Sequence, residues 1–309
     1  MEEVKLAYRD NDRTPVIFCI KEIAKRHYGI DVKVKQIRGA AEYESAVFDG
    51  SADVIIERMD YLFAEAVKGR KVTMFCCPVI TSGMEMVVPS RVKSIDDLRG
   101  KKIAVRAAGR PFTVALRLRK MGLEKDVERI IVSDDEVGRW GQWKKVVSGE
   151  CIATYMTAIY LPDALAAGLK VLETPELQVI GHFAQACSTE FARENHELLG
   201  NYVRSVVHAL CLMKYKRAEA MEIVSQEPMR LMKLQDRREL ERQVDSIIHE
   251  LQVRPYPTPE GIANSHEIST DEWPVGKSLE NPLTLWDLHW LKQLDDEGFI
   301  DGLIKQMEA

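Results

Sequence analysis

The chain has 309 residues, a hydrophobic share of 46% and a formal net charge of −5. That length suits one two-lobed protein or two small domains, and the charge gives no general attraction for nucleic acid or for an anionic membrane surface. No apolar run approaches the length needed to cross a bilayer, so membrane insertion is not expected.

The chain starts Met1-Glu2-Glu3, and Val4 to Tyr8 already reads as a strand. A secretory leader needs a basic start followed by an apolar stretch. The expectation is therefore a cytoplasmic protein, or else a periplasmic or lipid-anchored one from which a leader had been removed. The six cysteines, 19, 76, 77, 151, 187 and 211, lie mostly in apolar segments. They read as reduced core residues, which favours the cytoplasm.

In chain order, Lys5–Tyr8 is a short strand and 9–13 a polar loop. Thr14 reads as an N-cap with Pro15 at the first helical position. Val16, Ile17, Ile20, Ile23 and Ala24 share one face, which predicts a helix over 15–27 that stops at Gly29. Residues 30–37 alternate as a strand. A short helix over 41–49, a buried strand over 52–56 and a helix over 60–68 follow. Residues 72–77 and 84–88 are strand-like, with a turn at 78–83. Further on, 103–105, 129–132 and 152–155 read as strands, and 111–121, 140–147 and 158–167 as helices. Residues 177–183 are expected to return to the first lobe. Beyond Ser188, helical patterns cover 189–223, 236–251 and 283–295, and Pro255, Pro257 and Pro259 mark a rigid loop. Strands alternating with helices imply parallel sheets.

One internal repeat organises this pattern. Lys5-Leu6-Ala7-Tyr8-Arg9 returns as Lys102-Ile103-Ala104-Val105-Arg106, 97 residues later. Gly50, Tyr61-Leu62 and Gly69 return as Gly149, Tyr160-Leu161 and Gly168, 99 residues later. Two similar α/β lobes are expected, the first from 1–88 and 188–309 and the second from 89–187, with a ligand cleft between them.

The stretches Gly50-Ser51-Ala52-Asp53-Val54, Ser94-Ile95-Asp96-Asp97-Leu98-Arg99-Gly100-Lys101-Lys102-Ile103-Ala104-Val105 and Gly149-Glu150-Cys151-Ile152-Ala153 carry a resemblance over roughly residues 4–220. They resemble the type 2 periplasmic-binding fold. Within it, the chain is similar to the family of alkanesulfonate, nitrate and taurine binding proteins and thiamine-pyrimidine synthases. The resemblance implies an α/β chain of two lobes, each a mixed sheet flanked by helices, with the helical C-terminal segment packed on the first. It also implies a solute-binding protein of the ABC-transporter type with a membrane permease as partner, or a cytosolic relative of one. Asp12-Arg13-Thr14 and Gly29-Ile30-Asp31 more faintly resemble the dihydroxyphthalate decarboxylases. That implies, as the alternative, a lyase acting on an aromatic carboxylic acid. The synthases' Cys-rich motif and active-site His are missing, since Cys76-Cys77 stands alone and no His lies between His27 and His182. Pyrimidine synthesis and pyridoxal phosphate are thereby disfavoured, and no cofactor is expected.

Ligands of open parallel sheets bind beyond the carboxyl ends of strands. Arg9, Arg13 and Thr14 follow the first such strand, and Arg106, Gly109 and Arg110 follow its repeat. A guanidinium fork beside a helix N-terminus suits a carboxylate or sulfonate. Arg58, Ser82 and Tyr155 complete the candidate ligand-binding set, whose expected partner is a small organic anion. Glu57 follows a buried strand, and Asp10, Asp12, Glu57 and Glu85 are the weak acid–base candidates should the chain be an enzyme. The histidines lack metal-ligand spacing, so no metal site is expected.

Overall fold

In the computed structural model, the described residues are 1–9, 13–57, 60–107, 111–157, 160–224, 227–234, 236–272 and 276–308, without the side chains of 57, 181 and 182. The chain divides into two compact units, Met1–Thr81 with Gln178–Ala309, and Ser82–Leu177.

The first unit begins with β1 (Glu2–Tyr8), α1 (Thr14–Tyr28), β2 (Ile30–Gln36), α2 (Ala40–Ser45), β3 (Val54–Glu57), α3 (Asp60–Val67) and β4 (Val72–Thr81). Thr14, expected as the cap of α1, is instead its first residue, with Arg13 at the cap position. Pro15 lies in the first turn, where its missing N–H is not needed, and Gly29, at φ 66°, ends the helix in the left-handed region that costs glycine nothing. In the second unit, β5 (Met84–Pro89), β6 (Lys102–Arg106), α4 (Pro111–Lys120), β7 (Glu128–Val132), α5 (Asp134–Val137), α6 (Trp143–Val147), β8 (Ala153–Thr157), α7 (Leu161–Ala166) and β9 (Leu169–Leu172) follow. The chain then re-enters the first unit through β10 (Gln178–Ser188). The helices α8 (Thr189–Glu194), α9 (His196–Tyr215), α10 (Arg217–Val224), α11 (Glu227–Met232), α12 (Arg237–Glu250), α13 (Pro259–Glu272), α14 (His289–Asp296) and α15 (Phe299–Glu308) complete it.

The first sheet has the order β2-β1-β3-β10-β4, and the second β7-β6-β8-β5-β9. In each, three parallel strands are followed by an antiparallel one: β10 runs against β3 and β4, and β5 against β8 and β9. The repeat in the sequence is thus a repeat of strand order. The first sheet is covered on both faces. On one, Ile17, Ile20 and Ile23 of α1 and Val203, Val206 and Leu210 of α9 pack in one cluster with Leu6, Ile56 and Phe75. On the other, Tyr61, Leu62 and Ile262 pack on Ile55, Met74 and Ala184. The second sheet has its own core around Met86, Val88, Leu98, Ile103, Leu118 and Met156.

Several expectations are corrected. No turn occupies 78–83, because β4 continues to Thr81. Pro78 is tolerated there because β4 is an edge strand. Its outer edge is covered by the segment carrying the three prolines: Cys77 N donates to Pro255 O (2.7 Å) and Gln252 N to Pro78 O (2.9 Å). Pro259 does not prolong that loop but opens α13, and α15 has no counterpart in the expected pattern. The stretch 189–223 is broken into α8, α9 and α10, and 283–295 contains only the shorter α14 after a 3₁₀ turn at Pro282–Leu285. Residues 84–88 are a strand, but of the second sheet, since periodicity marks a strand without naming its neighbours. The C-terminal helices belong to the unit that holds β1–β4.

Candidate functional site

The predicted residues fall into three groups. Asp10, Asp12, Arg58, Gly109 and Arg110, and the Glu57 side chain, lie outside the described residues. In the first unit, Arg9 is exposed at the end of β1. Arg13 is buried and pairs with Glu250 of α12 at 2.7 Å. Thr14 is fully buried at the start of α1, and its hydroxyl has no hydrogen-bond partner among the described residues. Glu85 is exposed on β5.

Ser82, Arg106 and Tyr155 come together in the second unit. A small pocket there is lined by Met84, Ala104, Val105, Arg106, Val114, Trp140 and Tyr155. The local sequence explains the arrangement. Arg106 is the last residue of β6, where its side chain leaves the sheet at the carboxyl end. Tyr155 and Thr154 lie on β8, and Thr154 Oγ1 ties that strand to β6 by donating to Ala104 O (2.8 Å). Gln142 Nε2 donates to Tyr155 O (2.9 Å) and pins the loop before α6 onto β8.

Arg106 is fully engaged. Its Nε donates to Asp134 Oδ1 at 2.7 Å, and Nη2 donates to Oδ2 in a two-pronged contact. The guanidinium beside Asp134 holds that carboxyl below the usual carboxylate range. The Arg106 guanidinium also lies over the Trp140 ring at 4.7 Å, and Trp140 stacks on Tyr160 (5.8 Å, 17° between planes). Trp140 stands at φ 58°, a left-handed backbone uncommon for a bulky residue. Its ring contacts on Arg106 and Tyr160 hold it there.

Arg117, absent from the sequence-derived set, is the decisive side chain. It lies on α4, one helical turn beyond the pocket residue Val114, and is only 5% exposed. Its Nη2 donates to the Ser82 hydroxyl, and its guanidinium sits over the Tyr155 ring at 5.0 Å. Burial raises the Tyr155 phenol above its ordinary range, against the opposing effect of Arg117. Among the described residues no carboxylate pairs with Arg117, and its buried Nε has no hydrogen-bond acceptor. The signal was present in the sequence: a cation three residues after Val114 falls on the face that the apolar residues of α4 bury. Asp134 and Trp140 were harder to find, because their partnership with Arg106 crosses from one strand to the loop after the next.

Among the described residues, no group of three or more His, Cys, Asp or Glu side chains could hold a metal ion. The six cysteines are free and buried. Burial pushes the Cys19 and Cys211 thiols up to about 12, and Cys76, Cys77 and Cys187 also rise well above their ordinary value. None is a thiolate nucleophile at neutral pH.

With this geometry in view, comparison with known proteins bears on the fold first. The chain is similar to a protein described as the periplasmic sulfonate-binding protein SsuA of a sulfonate ABC transporter from Methylobacillus flagellatus KT. The two are 18% identical, with 98% of this chain and 96% of that one covered and a TM-score of 0.73. The periplasmic aliphatic sulphonate binding protein SsuA from Escherichia coli is similar at 17% identity, 91% and 96% coverage and a TM-score of 0.66. So is the desulfurization enzyme DSZB, at 12% identity, 96% and 99% coverage and a TM-score of 0.58. The fold is that of the periplasmic binding proteins: α/β, with two mixed sheets flanked by helices. The NMT1/THI5-like family model matches residues 26–158, in keeping with the resemblance carried by the motifs in the sequence. No curated protein matches the chain in sequence. No helix among the described residues is long and apolar enough to cross a membrane.

Proposed function

We propose that this protein binds a small organic anion of sulfonate or carboxylate type at the pocket of the second unit. In this reading it serves as the solute-binding component of an import system and delivers its ligand to a membrane permease. The observation that carries the reading is Arg117. A guanidinium removed from water is costly unless paired, and the partners described for it here, the Ser82 hydroxyl and the Tyr155 side chain, carry no negative charge. An anion would complete its coordination. The apolar and aromatic walls beside it suit the carbon body of such a ligand. The solved relatives named for sulfonate binding support the same ligand class.

A lyase acting on an aromatic acid would need an acid or base at the reacting atom. Among the described residues that line the pocket, the one charged side chain is Arg106, which suits holding an anion.

The test is calorimetry of the purified protein with a panel of short alkanesulfonates, benzenesulfonate and benzoate. At least one member should bind and be recovered intact. Arg117→Met should weaken that binding by about 10- to 100-fold, the range for losing a charge-assisted hydrogen bond. Its thermal unfolding without ligand should stay cooperative. Binding that is indifferent to Arg117→Met would overturn the assignment, and release of carbon dioxide or sulfite would establish an enzyme instead.

A further inference from the structure

We infer that the pocket selects a monoanion: Arg117 receives the ligand's charge, while Asp134 acts as a built-in counter-anion that neutralises Arg106 and repels a second negative charge. This rests on the anion-binding reading above and adds to it a charge class for the ligand.

The charges around the pocket's aromatic residues are unequal in number. Two guanidiniums are present, Arg106 over Trp140 and Arg117 over Tyr155. One carboxylate is present, Asp134, and it takes two hydrogen bonds from Arg106. The pair is largely shielded from solvent, with the Arg106 side chain 17% and Asp134 28% exposed. Bulk ions therefore screen it less than a surface pair. Held below the usual carboxylate range by Arg106, Asp134 remains ionised at neutral pH. The remaining described charges acting there, Glu85 on Tyr155 and Arg139 on Asp134, are exposed, opposite in sign and screened by water. The contact balance among the described residues is one uncompensated positive charge, and it sits on Arg117.

A monoanion at Arg117 brings that balance to zero. A dianion would have to place its second charge against the Arg106–Asp134 pair. There it would meet a carboxylate already occupying both prongs of the guanidinium. Like charges at contact distance are a common means of excluding a wrong ligand. Arg106 cannot readily turn away from Asp134 to meet the newcomer, because Trp140 lies against its plane and is itself stacked on Tyr160.

The experiment compares ethanesulfonate with ethane-1,2-disulfonate, both fully ionised near neutral pH, by calorimetry on the wild-type chain and on Asp134→Asn. The wild type should bind the monoanion at least about tenfold more tightly than the dianion, as expected for a like-charge contact. Asp134→Asn, which keeps the shape and removes the charge, should reduce that preference at least about threefold by improving dianion binding. Equal or tighter wild-type binding of the dianion overturns the inference. So does an Asp134→Asn variant that weakens both ligands alike, which would make Asp134 a support for Arg106 and nothing more. The wild-type ratio is decisive even if the variant does not fold. If neither ligand binds the wild type, the anion-binding reading itself fails, a result distinct from binding with the wrong charge preference.

Discussion

Gly141 shows how much a single residue decides in this protein. A Cβ there would stand 2.1 Å from the Val137 carbonyl oxygen and 2.9 Å from that of Gly138, both backbone atoms that cannot step aside. The turn that carries Trp140 to Arg106 can close only around glycine. Gly141→Ala is expected to detach the loop, lower the melting temperature and abolish ligand binding, as seen by calorimetry and by a red shift of tryptophan emission. Unchanged binding in that variant would show that Trp140 is not needed to hold Arg106. His208 provides a second residue-scale expectation. Burial pushes its imidazole down to about 4, and its Nδ1 is 3.0 Å from the Tyr28 hydroxyl, with the His27 ring 4.8 Å away. The unfolded chain takes up a proton as pH falls through the ordinary histidine range near 6.5, whereas the folded chain does so only near 4. Stability contributed at neutral pH is therefore lost progressively from about pH 6.5 down to about pH 4. Urea midpoints measured at pH 7.5 and 5 should fall with pH, and His208→Gln should flatten that part of the decline.

Among the elements, α12 illustrates how local and tertiary terms combine. Asp236 caps it by accepting from Glu239 N (3.0 Å), and its apolar stripe of Leu240, Val244 and Ile247 buries against the first unit's core. Its far end supplies Glu250, the partner of Arg13 at the start of α1. Asp236→Ala should cost about 1 kcal/mol, the usual worth of such a cap, measured by chemical denaturation. Glu250→Gln should cost more than an exposed pair would, because Arg13 is buried and would be left without its counter-charge. The same contact shows why Arg13 was easy to misjudge from sequence. Its position after β1 suits a ligand contact, but a helix 237 residues further on claims its charge.

For the whole molecule, the buried thiols point to one experiment. Because all six cysteines are free and buried, a thiol reagent such as a dithiobenzoate should label none of them quickly in the native state and all six after denaturation. Rapid native labelling of even one would contradict the packing of its unit. The 97-residue repeat marked two α/β halves correctly because strand order follows from the alternation of strands and helices. The return of 177–183 to the first sheet as β10 is also legible, but β5 falls by sequence in the first half although it is the antiparallel strand of the second sheet.

What the sequence determines by itself is local or periodic. It determines α1 with its proline start and glycine stop, the alternation that makes each half a sheet flanked by helices, the apolar settings of the cysteines, and the places where cations follow strands. These depend on neighbours within a few residues, and their physics is legible in order. Only the tertiary structure decides which cations are already neutralised. Arg13 is claimed by Glu250 and Arg106 by Asp134, while Arg117, reading from sequence as one more basic residue on a helix, is buried against Ser82 and Tyr155 with no described carboxylate. The reason is that charge compensation acts through space over a few ångströms and takes no account of separation along the chain.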